Sequence, residues 1–189
     1  MVFLIFMLAG RGKLKQKIEK SFSPQRAARI NEILENIDRQ IQKYLIIKTA
    51  TSFISGLVTM TVLLAFGVDF AIVFGFLTFL LNFIPSLGSI AALILIVLIA
   101  AFQFSSPWPV LWILLILVFI DLLISNFVEP KLMGYGLGLS PLAVLFVLFF
   151  WGWLWGIPGM ILAVPVMAVV KIVCGNVPSL QFVAEIISK

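Results

Sequence analysis

Long apolar runs alternate with short polar or helix-breaking interruptions along most of this chain, and a single segment near the N-terminus inverts the pattern. Arg11 to Lys43 carries most of the basic residues, interspersed with Glu19, Glu32, Glu35 and Asp38. Within it, Ser23-Pro24 offers an N-cap followed by proline at the first helical position. Ala27, Ile30, Leu34, Ile37, Ile41 and Tyr44 then recur at alternating steps of three and four, which predicts an amphipathic helix with a coiled-coil-like seam. That seam suits the protein's own apolar domain, another subunit, or an anionic lipid surface, although the interspersed acids weaken the last reading.

Tyr44 to Phe66 supplies about one bilayer-spanning length and ends at the turn-like Gly67-Val68-Asp69. Lys48, Ser52, Ser55 and Thr59 share one face of this helix. They serve either as a small-residue packing surface, with Ser52 and Gly56 as a small-xxx-small pair, or as the polar wall of a solute path. Next, two apolar arms, Phe70 to Ile84 and Ser89 to Phe104, flank a break from Asn82 through Pro85 to Gly88. The first arm would extend about 22 Å, short of a roughly 30 Å hydrocarbon core, so the pair reads as a re-entrant or tilted hairpin. The polar loop Gln103 to Pro109 is expected outside, with Trp108 and Trp112 in the headgroup belt.

Trp108 to Glu129 returns as a full-length helix that sets Asp121, Ser125 and Glu129 four apart on one face, with Asn126 adjoining. If Glu129 lies at the interface, Asp121 lies about 12 Å deeper, near the midplane. Glu129 beside Lys131 reads as an interfacial ion pair. Asp121 needs a partner, water or a proton at that depth, which points to a pathway for a polar solute or ion. Beyond the glycine-rich stretch from Gly134 to Ser140, a second pair of short arms, Pro141 to Trp155 and Met160 to Val173, flanks the break at Gly156, Pro158 and Gly159.

Composition agrees with this pattern. At 62% hydrophobic and 11% charged residues, the 189-residue chain exceeds what one globular core could bury. It reads as an all-α, polytopic membrane protein with a cytosolic amphipathic helical segment and two Pro/Gly-broken helical hairpins. Basic Arg11 to Lys43 faces the cytoplasm by the positive-inside rule. The expected organisation is a stub of a membrane helix at 1–10, the cytosolic segment at 11–43, a transmembrane domain at 44–173 and a cytosolic tail at 174–189. Residues 44–104 and 108–173 each read as one long helix followed by a broken hairpin, starting on opposite sides. That is the plan of an inverted repeat, unless proline and glycine merely make tight turns between ordinary spans. With no histidine and one cysteine, Cys174, the usual metal constellations and Ser-His or Cys-His catalysis are absent, so neither an enzyme nor a cofactor or metal is expected. Lys48, Lys131 and Lys171 fall near expected helix ends, where snorkelling accounts for them. A lipid bilayer and a small polar solute or cation are the expected partners, and nucleic acid is not.

Several motifs together resemble a known family. Asn82-Phe83-Ile84-Pro85-Ser86-Leu87-Gly88, then Asn126-Phe127-Val128-Glu129-Pro130-Lys131-Leu132-Met133-Gly134, Gly138-Leu139-Ser140-Pro141, Trp155-Gly156-Ile157-Pro158-Gly159-Met160 and Ala163-Val164-Pro165 are similar to the C-terminal part of the AI-2E family of bacterial transporters. The resemblance implies a multi-pass inner-membrane protein whose family activity is export of the quorum-sensing signal autoinducer-2. Some members are regarded as sodium(lithium)/proton antiporters. It also implies homo-oligomers, with the pentamer as the suggested number, and additional membrane helices ahead of the cytosolic segment in typical members. The resulting expectation is an exporter of a small polar solute with Asp121 as proton or cation site, Asn126 and Glu129 as its cytoplasmic approach, and the two breaks as gates. The alternatives are cation/proton antiport and a noncatalytic oligomeric membrane scaffold.

Overall fold

The computed structural model describes residues 23–133 and 140–177 and, in the tail, 180–182, 185 and 188. The expected stub at 1–10, the first part of the polar segment and residues 134–139 of the glycine-rich stretch lie outside the described residues. Among those described, every regular element is helical. The first described helix, α1, runs unbroken for 42 residues from Pro24 to Ala65, so the described part of the amphipathic segment and the span after it are one rod of about 63 Å. Ser23 occupies the N-cap with Pro24 behind it, although its hydroxyl makes no capping bond. At the other end Gly67, at φ +70°, closes the helix: its N–H donates to the Leu64 carbonyl and that of Val68 to the Leu63 carbonyl, the paired bonds of a Schellman motif.

The seam of the amphipathic part turns inward. Ala27, Ile37, Ile41 and Tyr44 are buried within the chain, while Ile30 and Leu34 are partly exposed. Helix α1 also packs on the last long helix, Ile157–Asn176.

Two short helices come next, α2 (Ala71–Leu81, 11 residues) and α3 (Leu87–Gln103, 17 residues). At about 16 Å, α2 reaches only halfway through a hydrocarbon core. Its tip stands beside Ser52 and Ser55, to which Asn82 donates hydrogen bonds, and those serines lie about 20 and about 15 Å below the outer end of α1. The first hairpin therefore turns back at the level of these serines. Its two legs are clasped at the base by Gln103, whose amide donates to the Gly67 carbonyl at 2.7 Å and accepts from the Asp69 N–H at 2.8 Å. The tip is tightly made: a Cβ at Gly88 would collide with the Leu81 carbonyl, and Ser86 adopts φ +61° without being glycine.

Helix α4 (Pro107–Leu123) comes back antiparallel to α1, continues through a π-helical turn at Ile124–Val128 and ends in α5 (Glu129–Met133). Proline explains the π turn. Pro130 has no N–H for the Asn126 carbonyl and would clash with it in an α-helix, and the widened turn, with Glu129 N–H bonded to the Ile124 carbonyl, relieves both. The second hairpin is α6 (Pro141–Trp155), capped by Ser140 Oγ accepting from Ala143 N–H at 3.1 Å, and α7 (Ile157–Asn176). Its tip repeats the device of the first, since a Cβ at Gly159 would run into the Trp151 carbonyl.

Near the outer end, Leu63, Ala71, Ile96, Ala100, Ile113 and Leu117 pack into one cluster; deeper, Ile84 of the first tip inserts between Val147, Leu148 and Ala163 of the second hairpin. The outward faces are apolar, with Phe102 87% and Trp153 86% exposed, as a lipid-facing surface requires. Among the described residues, three helical stretches, Pro24–Ala65, Pro107–Leu132 and Ile157–Asn176, are long and apolar enough to cross a membrane.

Gly88→Ala is expected to destabilise the fold by about 1–3 kcal/mol through overpacking against backbone. Gly152→Ala, whose added Cβ would meet only the flexible Met160 side chain, should cost less. Thermal unfolding of the two variants in detergent gives the order directly.

Candidate functional site

The polar residues that α1 carries through the bilayer face inward. Lys48, Thr51, Ser52, Ser55 and Thr59 are all buried, Thr51 and Ser52 completely. From Lys48 to Thr59 they form a stripe of about 17 Å along the helix. Each level of the stripe meets a different element.

At its inner end, the Lys48 ammonium pairs with Glu129 at 2.7 Å, with side-chain exposures of 6% and 16%. The Thr51 hydroxyl lies 2.9 Å from the same carboxylate oxygen and 3.2 Å from the Lys48 carbonyl. Two expectations are corrected here. Glu129 pairs across helices with Lys48 rather than along its own helix with Lys131, and Lys48 does not snorkel from a helix end, because α1 continues for 24 residues on its inner side. One turn further in on the same face, the Tyr44 side chain is buried, lies within electrostatic range of Glu129, and leaves its hydroxyl without a hydrogen-bond partner.

At the middle level, Asn82 from the first hairpin tip bridges Ser52 and Ser55 at 3.3 and 3.4 Å. Above it opens a cavity of about 180 Å³, whose polar lining is Ser55, Thr59, Thr78, Asn82, Ser89 and Asp121. Such a volume has room for several waters. Asp121 is half-buried beside Ser89, and Lys48 is close enough to act on it electrostatically. Oxygen donors from α1, α2, α3 and α4 thus converge on one space that is otherwise apolar. Among the described residues no group of His, Cys, Asp or Glu could hold a metal ion by those side chains alone.

The π turn splits the acidic face expected along α4. Asp121 and Glu129 both turn toward α1, but Ile124 takes the inward position between them, and Ser125 and Asn126 are exposed. Of the second break, Gly159 is buried against Trp151 while Gly156 and Pro158 are exposed, and none of the three lines the cavity. Pro85 and Gly88 shape the first tip without lining the cavity either. Thr51 and Tyr44 complete the inner cluster. Thr51 escapes the stripe read at steps of four and three from Lys48, and Tyr44 is legible only as the last residue of the amphipathic seam.

The family model described as AI-2E family transporter matches residues 1–179. A putative transport protein of Borreliella burgdorferi is 39% identical over 181 residues, which cover 95% of this chain and 50% of that protein. The AI-2 transport protein TqsA of Escherichia coli K12 is 39% identical over 188 residues, 98% of this chain and 53% of its own. A putative transport protein of Haemophilus influenzae is 36% identical over 178 residues, 93% and 51% respectively. The chain spans about half the length of these curated relatives.

Removing one member of the buried pair strands the other. Lys48→Met and Glu129→Met are each expected to cost about 3–5 kcal/mol, and the double variant less than the sum of the two. A double-mutant cycle read by thermal unfolding measures the coupling.

Proposed function

The chain belongs to the AI-2E family of transporters, and on that premise we propose that it forms the solute-conducting core of an exporter for a small polar solute. Family membership makes it a multi-pass protein of the bacterial inner membrane and a transport protein rather than an enzyme. Autoinducer-2 is the first solute to test, because one relative that matches 98% of this chain is named for its transport.

The observation that carries the reading is the alignment of a buried polar stripe on α1 with an Asp121-lined cavity and a half-depth hairpin tip. Buried polar groups at membrane depth are costly, and a continuous row of them is the lining an aqueous solute needs. Asp121 is the acid of the cavity, Asn82 its floor, and Lys48 with Glu129 the approach from the cytoplasmic side. Alternating access then consists of movement of the hairpin tips against α1. Exposed Ser125 and Asn126 at the π turn are poor lipid neighbours and support a second copy of the chain on that face, in a homo-oligomer.

One feature favours a second reading, sodium(lithium)/proton antiport. The polar donors of the cavity include one carboxylate and several hydroxyls, a set suited to a hard cation.

Labelled autoinducer-2 should leave proteoliposomes containing the wild-type chain, and Asp121→Asn should lower that flux by at least about tenfold while elution and helicity stay unchanged. Unchanged flux in the variant removes Asp121 from the path. Absence of autoinducer-2 flux together with a sodium-driven change in lumenal pH would replace the solute reading with antiport.

A further inference from the structure

Between the cavity and the cytoplasmic end of the bundle the structure is shut. Thr51 and Ser52 are fully buried, and below them Lys48 and Glu129 close on each other at 2.7 Å. Anything moving along the stripe must pass this level. We infer that Lys48, Glu129, Thr51 and Tyr44 form the inner gate of the path, seen here closed, with the Tyr44 hydroxyl as the seat that receives Glu129 when the gate opens. This rests on the transport reading above.

Three features make the contact separable rather than merely structural. Glu129 stands immediately behind the π turn, and its own N–H carries the i to i+5 bond to Ile124. A π turn holds an extra residue, so moving that turn along the helix past Glu129 re-aims that residue by about 100°, enough to carry it off Lys48. Pro130 favours the wide turn at its present place and so sets the closed position as the resting one. Second, Lys48 is not stranded by the departure, because Asp121 lies within its electrostatic range across the cavity floor. Third, the Tyr44 hydroxyl is a buried donor with nothing to bond in the closed state. An orphaned polar group of this kind costs the closed state stability, and a bond made to it in the open state accounts for its presence. It lies one helical turn inward of Lys48, on the face that Glu129 approaches.

The test reads access to the cavity from each side. A Ser55→Cys reporter in a Cys174→Ser background is exposed to a membrane-impermeant maleimide in inverted and in right-side-out membrane vesicles. With the gate intact, labelling from the cytoplasmic side should be slow. Glu129→Gln should accelerate it about tenfold, a shift of about 1.4 kcal/mol in the open population, from that side only. Exchange of the charges, Lys48→Glu with Glu129→Lys, should restore slow labelling. Tyr44→Phe should slow labelling below the parent level without lowering the melting temperature, since it removes only an oxygen that the closed state does not use. Equal labelling in all variants would overturn the gate. Should Glu129→Gln unfold the protein, labelling rises from both sides and Tyr44→Phe decides: an unchanged rate overturns the proposal. Gated labelling without autoinducer-2 flux or sodium-driven proton movement would refute the transport reading alone, whereas flux with ungated labelling would refute the gate alone.

Discussion

A lysine ammonium held in hydrocarbon must have an anion beside it, and in this chain that requirement fixes the relative placement of the two halves. Lys48 belongs to the first helix and Glu129 to the end of the returning helix, 81 residues later. Bringing them to 2.7 Å sets α1 and α4 antiparallel and in register, with Leu63 against Ile113 and Leu117 at the far end. The polar stripe above the pair then has no choice but to face the interior. The first hairpin inserts its tip where that stripe offers hydroxyls to Asn82, and Ile84 on the same tip reaches the second hairpin. One desolvated charge therefore has consequences for four elements.

Much of this plan is legible in the chain because membrane proteins write their constraints plainly. Apolar runs of spanning length, Gly67 at a helix end, Ser140-Pro141 at a helix start and the two Ile-Pro breaks all appear where local physics requires them. The stripe Lys48, Ser52, Ser55 and Thr59 is visible from spacing alone. What spacing cannot convey is which distant residue will answer it. Lys131 lies two positions from Glu129 and looks like its partner, yet partnership is decided by which charge is buried, and that is Lys48.

Two further departures have local causes. The periodicity that placed Ser125 between Asp121 and Glu129 assumes 3.6 residues per turn, and Pro130 enforces a wider turn just there, handing the inward position to Ile124. The change of polarity at Tyr44 marks a change of surroundings rather than a break in the backbone, which continues helical through it. The first hairpin tip was legible as a break, but its contact with the cavity comes through Asn82 and Ser89 at its two ends, while Pro85 and Gly88 serve to turn the chain. Breakers are conspicuous in a sequence. The polar side chain that they deliver to the right depth is not.

Continuity of α1 has a mechanical meaning. A hydrogen-bonded rod about twice the thickness of the hydrocarbon core cannot be twisted locally at low cost, so its two halves share one axial orientation. Turning the outer surface of residues 24–43 through a given angle turns the Lys48 to Thr59 stripe through the same angle. Residues 24–43 are in that sense the handle of a shaft whose polar edge is the stripe.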